Sequence, residues 1–344
     1  MRIVSTLLCL LLFSFFVEGQ SDKTFVSVPV SVSDREGRYI SGLEKDDFRI
    51  YQDGKEQKVT FFATEDEPVS VALLIDTSES TKGVLNNIRE AAKDFIALLN
   101  KNDKCLIATF DAEVRVLEPL TSDRDALEKA LENIQTGEKE GSVVFNAVDK
   151  IGREGFVRAP GRKVIVVLSD GKDYGSSISR TDLFSQLEES DVIIYSIFYQ
   201  TGRVQVDETG AVKQEPEIKQ PEEKQPEEEK PKKKKKKKYS ITIAIPRDTN
   251  TPEEIRLIDK VTSAEAVSVL QEMSDTTAGR FYMSDAPKLS QIFKKIAAEV
   301  RQQYRLGFYS KNGDGEAVLN DIIVKVNRAE AVVRARGKYR AKKL

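Results

Sequence analysis

Three stretches of the chain are apolar almost without a break: VSVALLID (69–76), KVIVVLSD (163–170) and DVIIYSIFY (191–199). Each has the length of a strand, and the lack of polar alternation means that both of its faces are covered. Amphipathic segments separate them. Leu85, Ile88, Ala92, Phe95 and Leu99 share one helical face, and so do Ala126, Leu127, Ala130, Leu131 and Ile134. KCLIATF (104–110) and EVRVLEPL (113–120) add two strands around a turn at Asp111-Ala112. GSVVFNAVDKI and RTDLFSQLEES add helices. Strands alternating with helices in this order predict an α/β fold, a doubly wound and mostly parallel sheet with helices on both sides.

The flanks have a different period. Val26, Val28, Val30 and Val32 alternate with Ser and Pro, and DFRIYQDGKEQKVTFFA holds two strand-like runs around Asp53-Gly54, a hairpin signal. Near the other end, Ile322, Val324 and Val326 alternate in the same way, and AVVRARGKY follows. Neither β piece buries enough to stand alone. Residues 22–68 and 305–344 are therefore expected to pair in one sheet, a small β domain into which the α/β unit, residues 69–304, is inserted. Within that unit a helix is expected over 264–273, a strand at RFYMS and a long helix from Leu289 to Tyr304.

Two segments fall outside the packed fold. Residues 201–238 are rich in Glu, Pro and Lys and poor in apolar residues, the composition of a disordered insertion. Its Lys232–Lys238 run offers weak contact with an anionic surface, but the preceding glutamates favour a solvated linker. The opening MRIVSTLLCLLLFSFFVEGQ has Arg2, an apolar core and Gly19 before Gln20. It reads as a signal peptide over residues 1–19, with an uncleaved anchor as the alternative, and predicts a secreted or periplasmic protein. Cleavage would leave Cys105 as the only cysteine, in an apolar strand run where a small buried hydrophobe is expected.

Composition removes several chemistries. There is no histidine, which excludes Ser-His-Asp and Cys-His catalysis and histidine metal sites. A net charge of −2 gives no global pull towards nucleic acid. No P-loop or Gly-x-Gly-x-x-Gly occurs, so an enzyme is not expected. Any metal must be held by oxygen, which favours Mg²⁺, Mn²⁺ or Ca²⁺.

Oxygen ligands are present at the strand ends. Asp76 closes the first buried strand, and Ser78 and Ser80 follow at two-residue spacing. Ser142 opens a helix, and Asp170 ends the second buried strand ahead of Gly171. In open α/β sheets the carboxyl ends of the strands form the ligand rim, so these segments meet there. Asp-x-Ser-x-Ser arises by chance in about one chain in ten of this length; its placement after a buried strand, with Ser142 and Asp170 following in order, is what gives it weight. The competing structural reading makes Ser80, Thr81 and Ser142 helix N-caps, and Asp76 and Asp170 turn formers. Asp111 is a further rim candidate or a plain turn residue, and Thr136 is an alternative hydroxyl donor.

With these residues in place, residues 69–304 resemble a von Willebrand factor type A domain, and the Asp76, Ser78, Ser80 triplet resembles its metal-ion-dependent adhesion site. "DREGRYISGLEKDDFRIYQDGKEQKVTFF" before it and "VRQQYRLGFYS" with "VKVNRAEAVVRARGKY" after it resemble exported bacterial proteins related to that family, of the acidobacterial type. The resemblance implies divalent metal binding, usually Mg²⁺, and metal-dependent contact with the acidic side chain of a protein partner. It assigns direct ligation to Ser78, Ser80 and Ser142, and direct or water-mediated ligation to Asp76 and Asp170. A scaffold that keeps the fold without the metal is the alternative. Two departures stand out: Ser142, after Glu140-Gly141, occupies a position usually held by Thr, and Glu79 stands where a small residue is common.

Overall fold

The computed structural model describes residues 23–64, 67–137, 141–159, 161–199, 252–284, 288–311 and 318–340. The signal-peptide reading and the charged segment 201–238 lie outside them. No helix among the described residues is long and apolar enough to cross a membrane.

The described residues open with β1 (Lys23–Ser33), β2 (Phe48–Gln52), β3 (Lys55–Gln57) and β4 (Phe61–Ala63). The β2–β3 turn is tight because Asp53 and Gly54 both take positive φ, 48° and 77°, as two-residue hairpin turns require. The α/β unit follows with β5 (Val69–Asp76), α1 (Leu85–Leu98), β6 (Lys104–Phe110), β7 (Val114–Thr121), α2 (Arg124–Glu132), α3 (Val144–Lys150), β8 (Arg162–Ser169), α4 (Arg180–Glu189), β9 (Val192–Tyr199), α5 (Pro252–Thr276), β10 (Phe281–Ser284) and α6 (Leu289–Arg301). The chain then returns to strands, β11 (Tyr304–Lys311), β12 (Leu319–Val326), β13 (Val332–Ala335) and β14 (Lys338–Arg340).

The central sheet has the order β10-β9-β8-β5-β6-β7. Every pairing is parallel except β6 with β7. The unbroken apolar runs are explained by two cores. In β5, Val71, Leu73 and Ile75 enter a core with α1, α2 and α6, while Ala72 and Leu74 enter a second with α3, α4 and α5. The same strand feeds both sides, and from Val71 to Ile75 every residue is apolar.

The terminal strands form two four-stranded sheets, β13-β1-β11-β4 and β14-β12-β2-β3. Pairing in one sheet was the expectation; a sandwich is what forms. Each strand alternates, so each sheet has one apolar face, and the two faces close on a shared core of Val26, Val28, Val30, Val32, Phe48, Ile50, Leu306, Phe308 and Ile322. For the same reason the run KEQKVTFFA does not form a single strand. β3 stays with β2, whereas β4 crosses to the other sheet and pairs with β11.

Two helix boundaries differ from the sequence reading. α5 starts at Pro252 rather than near Ala264; the Pro-Glu-Glu opening is a helix-start signal. α6 ends at Arg301, and Tyr304 opens β11 instead. Its hydroxyl donates to Ile40 O at 2.9 Å and accepts from Leu43 N at 3.1 Å, which anchors it in the sandwich.

The sandwich docks on the α/β unit through polar contacts. Ser31 Oγ on β1 donates to Glu299 Oε1 on α6 at 3.2 Å. Arg336, 4% exposed, donates to Leu187 O, Glu188 O and Ser190 O, the carbonyls at the end of α4, and its burial lowers its pKa to about 10.

Candidate metal centre

Asp76 is the last residue of β5 and is fully buried. Its carboxylate lies beneath the loops that cross the rim. Its two oxygens accept four hydrogen bonds. Oδ1 takes Ser78 N at 2.9 Å and Ser78 Oγ at 2.6 Å. Oδ2 takes Ser169 Oγ at 2.7 Å and Ser142 Oγ at 3.2 Å. Ser78 Oγ is also 3.1 Å from Ser80 Oγ. Asp76, Ser78, Ser80 and Ser142 therefore share one hydrogen-bonded cluster. Asp170, 4% exposed, stands close enough for its charge to act on Asp76.

Burial is the main reason the Asp76 carboxyl is pushed up to about 6; hydrogen bonds from Ser78 and Ser169 pull it down, and the Asp170 charge raises it further. The Tyr199 hydroxyl, which donates to Asp76 O at 3.4 Å, is raised well above its usual range by burial and then by the charges of Asp76 and Asp170. A negative field is thus concentrated around buried carboxylates, at a rim where Ser80 is exposed to solvent.

The loops that carry the hydroxyls are fixed independently. After β5, Thr77 N donates to Phe110 O at 2.8 Å and Gly137 N donates to Thr77 O at 2.8 Å. Thr81 Oγ1 closes the next turn on Ser78 O at 2.8 Å. Ser142 and Tyr174 exchange backbone hydrogen bonds of 2.7 and 3.4 Å. Asp173 Oδ1 accepts from Phe145 N and Ser176 Oγ, and Asn146 Oδ1 accepts from Ser177 N and Ile178 N. The loop after β8 is thereby stitched to the start of α3, which holds Ser142 and Asp170 in one frame.

The capping alternative does not describe these serines and Thr81. α1 begins at Leu85 behind Val84, and α3 begins at Val144 behind Val143, neither with a side-chain cap. The turn-forming role of Asp76 is real but additional, since Ser78 N reaches Oδ1 two residues on.

The remaining rim candidates are otherwise engaged. Asp111 is fully buried and held by Arg115 through contacts of 2.7 and 3.1 Å. A Cβ at Gly137 would lie 1.8 Å from Asp111 Oδ2, so only glycine fits against that carboxylate. None of the hydrogen bonds to Asp76 comes from Thr136. Glu79 is exposed and faces Lys82 at 3.4 Å. Cys105 is buried, which pushes its thiol up to about 12 and keeps it an inert hydrophobe.

Sequence reasoning passed over Ser169. A hydroxyl inside a strand that is buried along its length needs a partner, and that signal was present in VIVVLSD.

The chemistry of the donor set fits a hard divalent cation. A serine hydroxyl donates its one proton and still offers lone pairs, so Ser78, Ser80 and Ser142 can face Asp76 and a cation together. No group of three or more His, Cys, Asp or Glu side chains suited to a metal occurs among the described residues, so any ligation at the rim depends on hydroxyls. With four donors on it, Asp76 is already near its acceptor capacity, which suits ligation through water or through the hydroxyls it orients.

No curated protein matches the sequence. Among solved structures the chain is similar to BatB, a conserved hypothetical protein of Bacteroides thetaiotaomicron, at 16% identity over 67% of this chain and 97% of that one, with a TM-score of 0.43. It is similar to an aerotolerance-related membrane protein of Bacteroides fragilis at 16% identity over 67% and 98%, TM-score 0.42. A further likeness is to proximal thread matrix protein 1 of the mussel byssus with a zinc-occupied MIDAS motif, at 14% identity over 73% of this chain and 50% of that one, TM-score 0.47. The family assignment rests on sequence: the profile of the von Willebrand factor type A domain matches residues 70–217. That span holds Asp76, both serines of the triplet, Ser142 and Asp170, so the candidate rim lies within a von Willebrand factor type A domain over residues 70–217.

Proposed function

We propose that the chain binds a divalent cation at this rim and uses it to hold an acidic side chain of a protein partner outside the cytoplasm. Ser78, Ser80 and Ser142 would hold the ion, with Asp76 and Asp170 supplying charge directly or through water. The observation that carries this reading is the surroundings of Asp76. It is a fully buried carboxylate whose partners are hydroxyls and an amide, with no Lys or Arg ion pair to it among the described residues. A bound cation supplies the missing charge and turns a negative rim into a seat for an anionic oxygen. Mg²⁺ suits it, since Mg²⁺ keeps waters and is held by few carboxylates; Mn²⁺ and Ca²⁺ are the alternatives.

We read the site as one for binding rather than catalysis. A metal-assisted hydrolase needs a base beside the ion; of the two nearby carboxylates, Asp111 is buried and held by Arg115, while Glu79 is exposed beside Lys82 and turned to solvent. The second reading, a scaffold without metal, draws support from the four donors that satisfy Asp76 without an ion.

Calorimetric titration of Mg²⁺, Mn²⁺ and Ca²⁺ into wild type and Asp76→Asn separates the two. Saturable binding lost in Asp76→Asn supports the cation site; no heat in either protein, with unchanged melts in EDTA, leaves the scaffold. Partner capture released by EDTA, and absent with Asp76→Asn, tests the adhesive step.

A further inference from the structure

The carboxylates of the rim are not equally supplied with positive charge. Asp111 holds Arg115, and Asp76 has only neutral donors. Asp170 has Lys172. Gly171 takes φ +73°, and a Cβ there would sit 2.9 Å from Ala266 O, so the chain after β8 turns sharply. The turn folds Lys172 back on the residue two before it. Its amide donates to Asp170 Oδ1 at 3.3 Å, and its Nζ lies 4.0 Å from Asp170 Oδ2. The pair is largely shielded, with side-chain exposures of 26% for Lys172 and 5% for Asp170.

We propose that Lys172 is a tethered competitor that sets the divalent-cation affinity of the rim. This rests on the cation-binding reading above. An ammonium 4.0 Å from one of the two candidate carboxylates delivers part of the charge that an ion would deliver. An incoming cation must share Asp170 with it or displace it, and is repelled by it in either case. The competition is reciprocal: whatever the metal loses to Lys172, the Lys172–Asp170 pair loses to the metal. In the metal-free protein Lys172 relieves the repulsion between Asp170 and Asp76, so the fold tolerates two buried carboxylates. The device keeps the site from holding its ion irreversibly and ties occupancy to the ambient cation level.

The test is Mg²⁺ titration of the full-length chain as wild type, Lys172→Met and Lys172→Arg, beside thermal melts in EDTA and in saturating Mg²⁺. Lys172→Met keeps the length and removes the charge, and is expected to bind Mg²⁺ about three- to tenfold tighter. It should melt below wild type in EDTA, with the gap closing in Mg²⁺. Lys172→Arg should stay near wild type. Equal or weaker Mg²⁺ binding by Lys172→Met overturns the competitor role while leaving the cation site standing. Absence of Mg²⁺ binding in all three proteins overturns the cation site itself and this inference with it. If Lys172→Met melts with or above wild type in EDTA, the ion pair contributes nothing and the reciprocity fails.

Discussion

Ser169 donates to Asp76 across adjacent parallel strands, Oγ to Oδ2 at 2.7 Å, and the same hydroxyl accepts from Gly171 N at 2.8 Å. One side chain thus joins the end of β5 to the loop that follows β8, the two segments carrying the candidate carboxylates. Replacing Ser169 by Ala removes a donor from a buried carboxylate and an acceptor from a buried amide. The expected cost is about 1–3 kcal/mol, read by urea unfolding in EDTA. Metal affinity should fall with it, because Asp76 and the Asp170 loop lose their common anchor. A variant as stable as wild type would show that the bond is not made in solution.

Asp76 itself should lower the stability of the metal-free protein at neutral pH. Its folded pKa is about 6 against an ordinary value of 3.8, so between those values the folded state binds the proton more tightly than the unfolded state. Stability must then fall as pH rises through that window, and the penalty is complete above it, on the order of 3 kcal/mol. Asp76→Asn removes the penalty. In EDTA it should melt above wild type at pH 7.5 and match it at pH 4. In Mg²⁺ the order should invert, since only wild type gains from the ion. A wild type that is the more stable protein in EDTA at pH 7.5 would refute the assignment of Asp76 as an uncompensated buried charge.

What the sequence made legible follows from local pattern. The runs at 69–76, 163–170 and 191–199 could only be strands covered on both faces, and the triplet at Asp76 announced itself by spacing after such a run. Less legible was anything set by two distant segments. Alternation in the terminal pieces specified an apolar face for each strand, but a single sheet and a sandwich bury that face equally well on paper. Phe48 meeting Phe62 and Tyr304 at 5.7 and 5.1 Å is a tertiary fact with no local signature. The burial of Asp76 is similar. A strand-end carboxylate normally faces water, and only the loops bearing Ser142 and Asp170, which arrive from far along the chain, close over it.

The Arg280–Glu299 pair, at 2.6 Å with Glu299 fully buried, also supports the sandwich, because Ser31 of β1 donates to the other oxygen of the same carboxylate. Removing one partner leaves the other uncompensated. Glu299→Ala should cost about 3–5 kcal/mol, while Arg280→Met combined with Glu299→Leu should recover much of that. Chemical denaturation of Arg280→Met, Glu299→Leu and their combination gives the coupling. Additive losses would mean that the pair is not energetically linked.

The terminal strands should fail together when either end is removed. β11 pairs with β1 from Lys23↔Lys311 to Val30↔Tyr304, and β12 covers β2 from Gln52 to Phe48. A chain ending at Gln303 keeps every strand of the central sheet but strips those partners from β1 and β2. Val28, Val30, Phe48 and Ile50, all at most 1% exposed in the intact protein, would then face water beside open strand edges, the condition that promotes edge-to-edge association. The truncated protein should therefore aggregate, or expose β1 and β2 to proteolysis, while β5 to β9 stay folded. Hydrogen exchange resolves the two regions: amides of 69–76 and 163–169 should remain protected, and those of 26–32 should exchange freely. Protection of 26–32 undiminished in a soluble, monomeric truncation would show that the N-terminal strands hold their fold without β11 and β12.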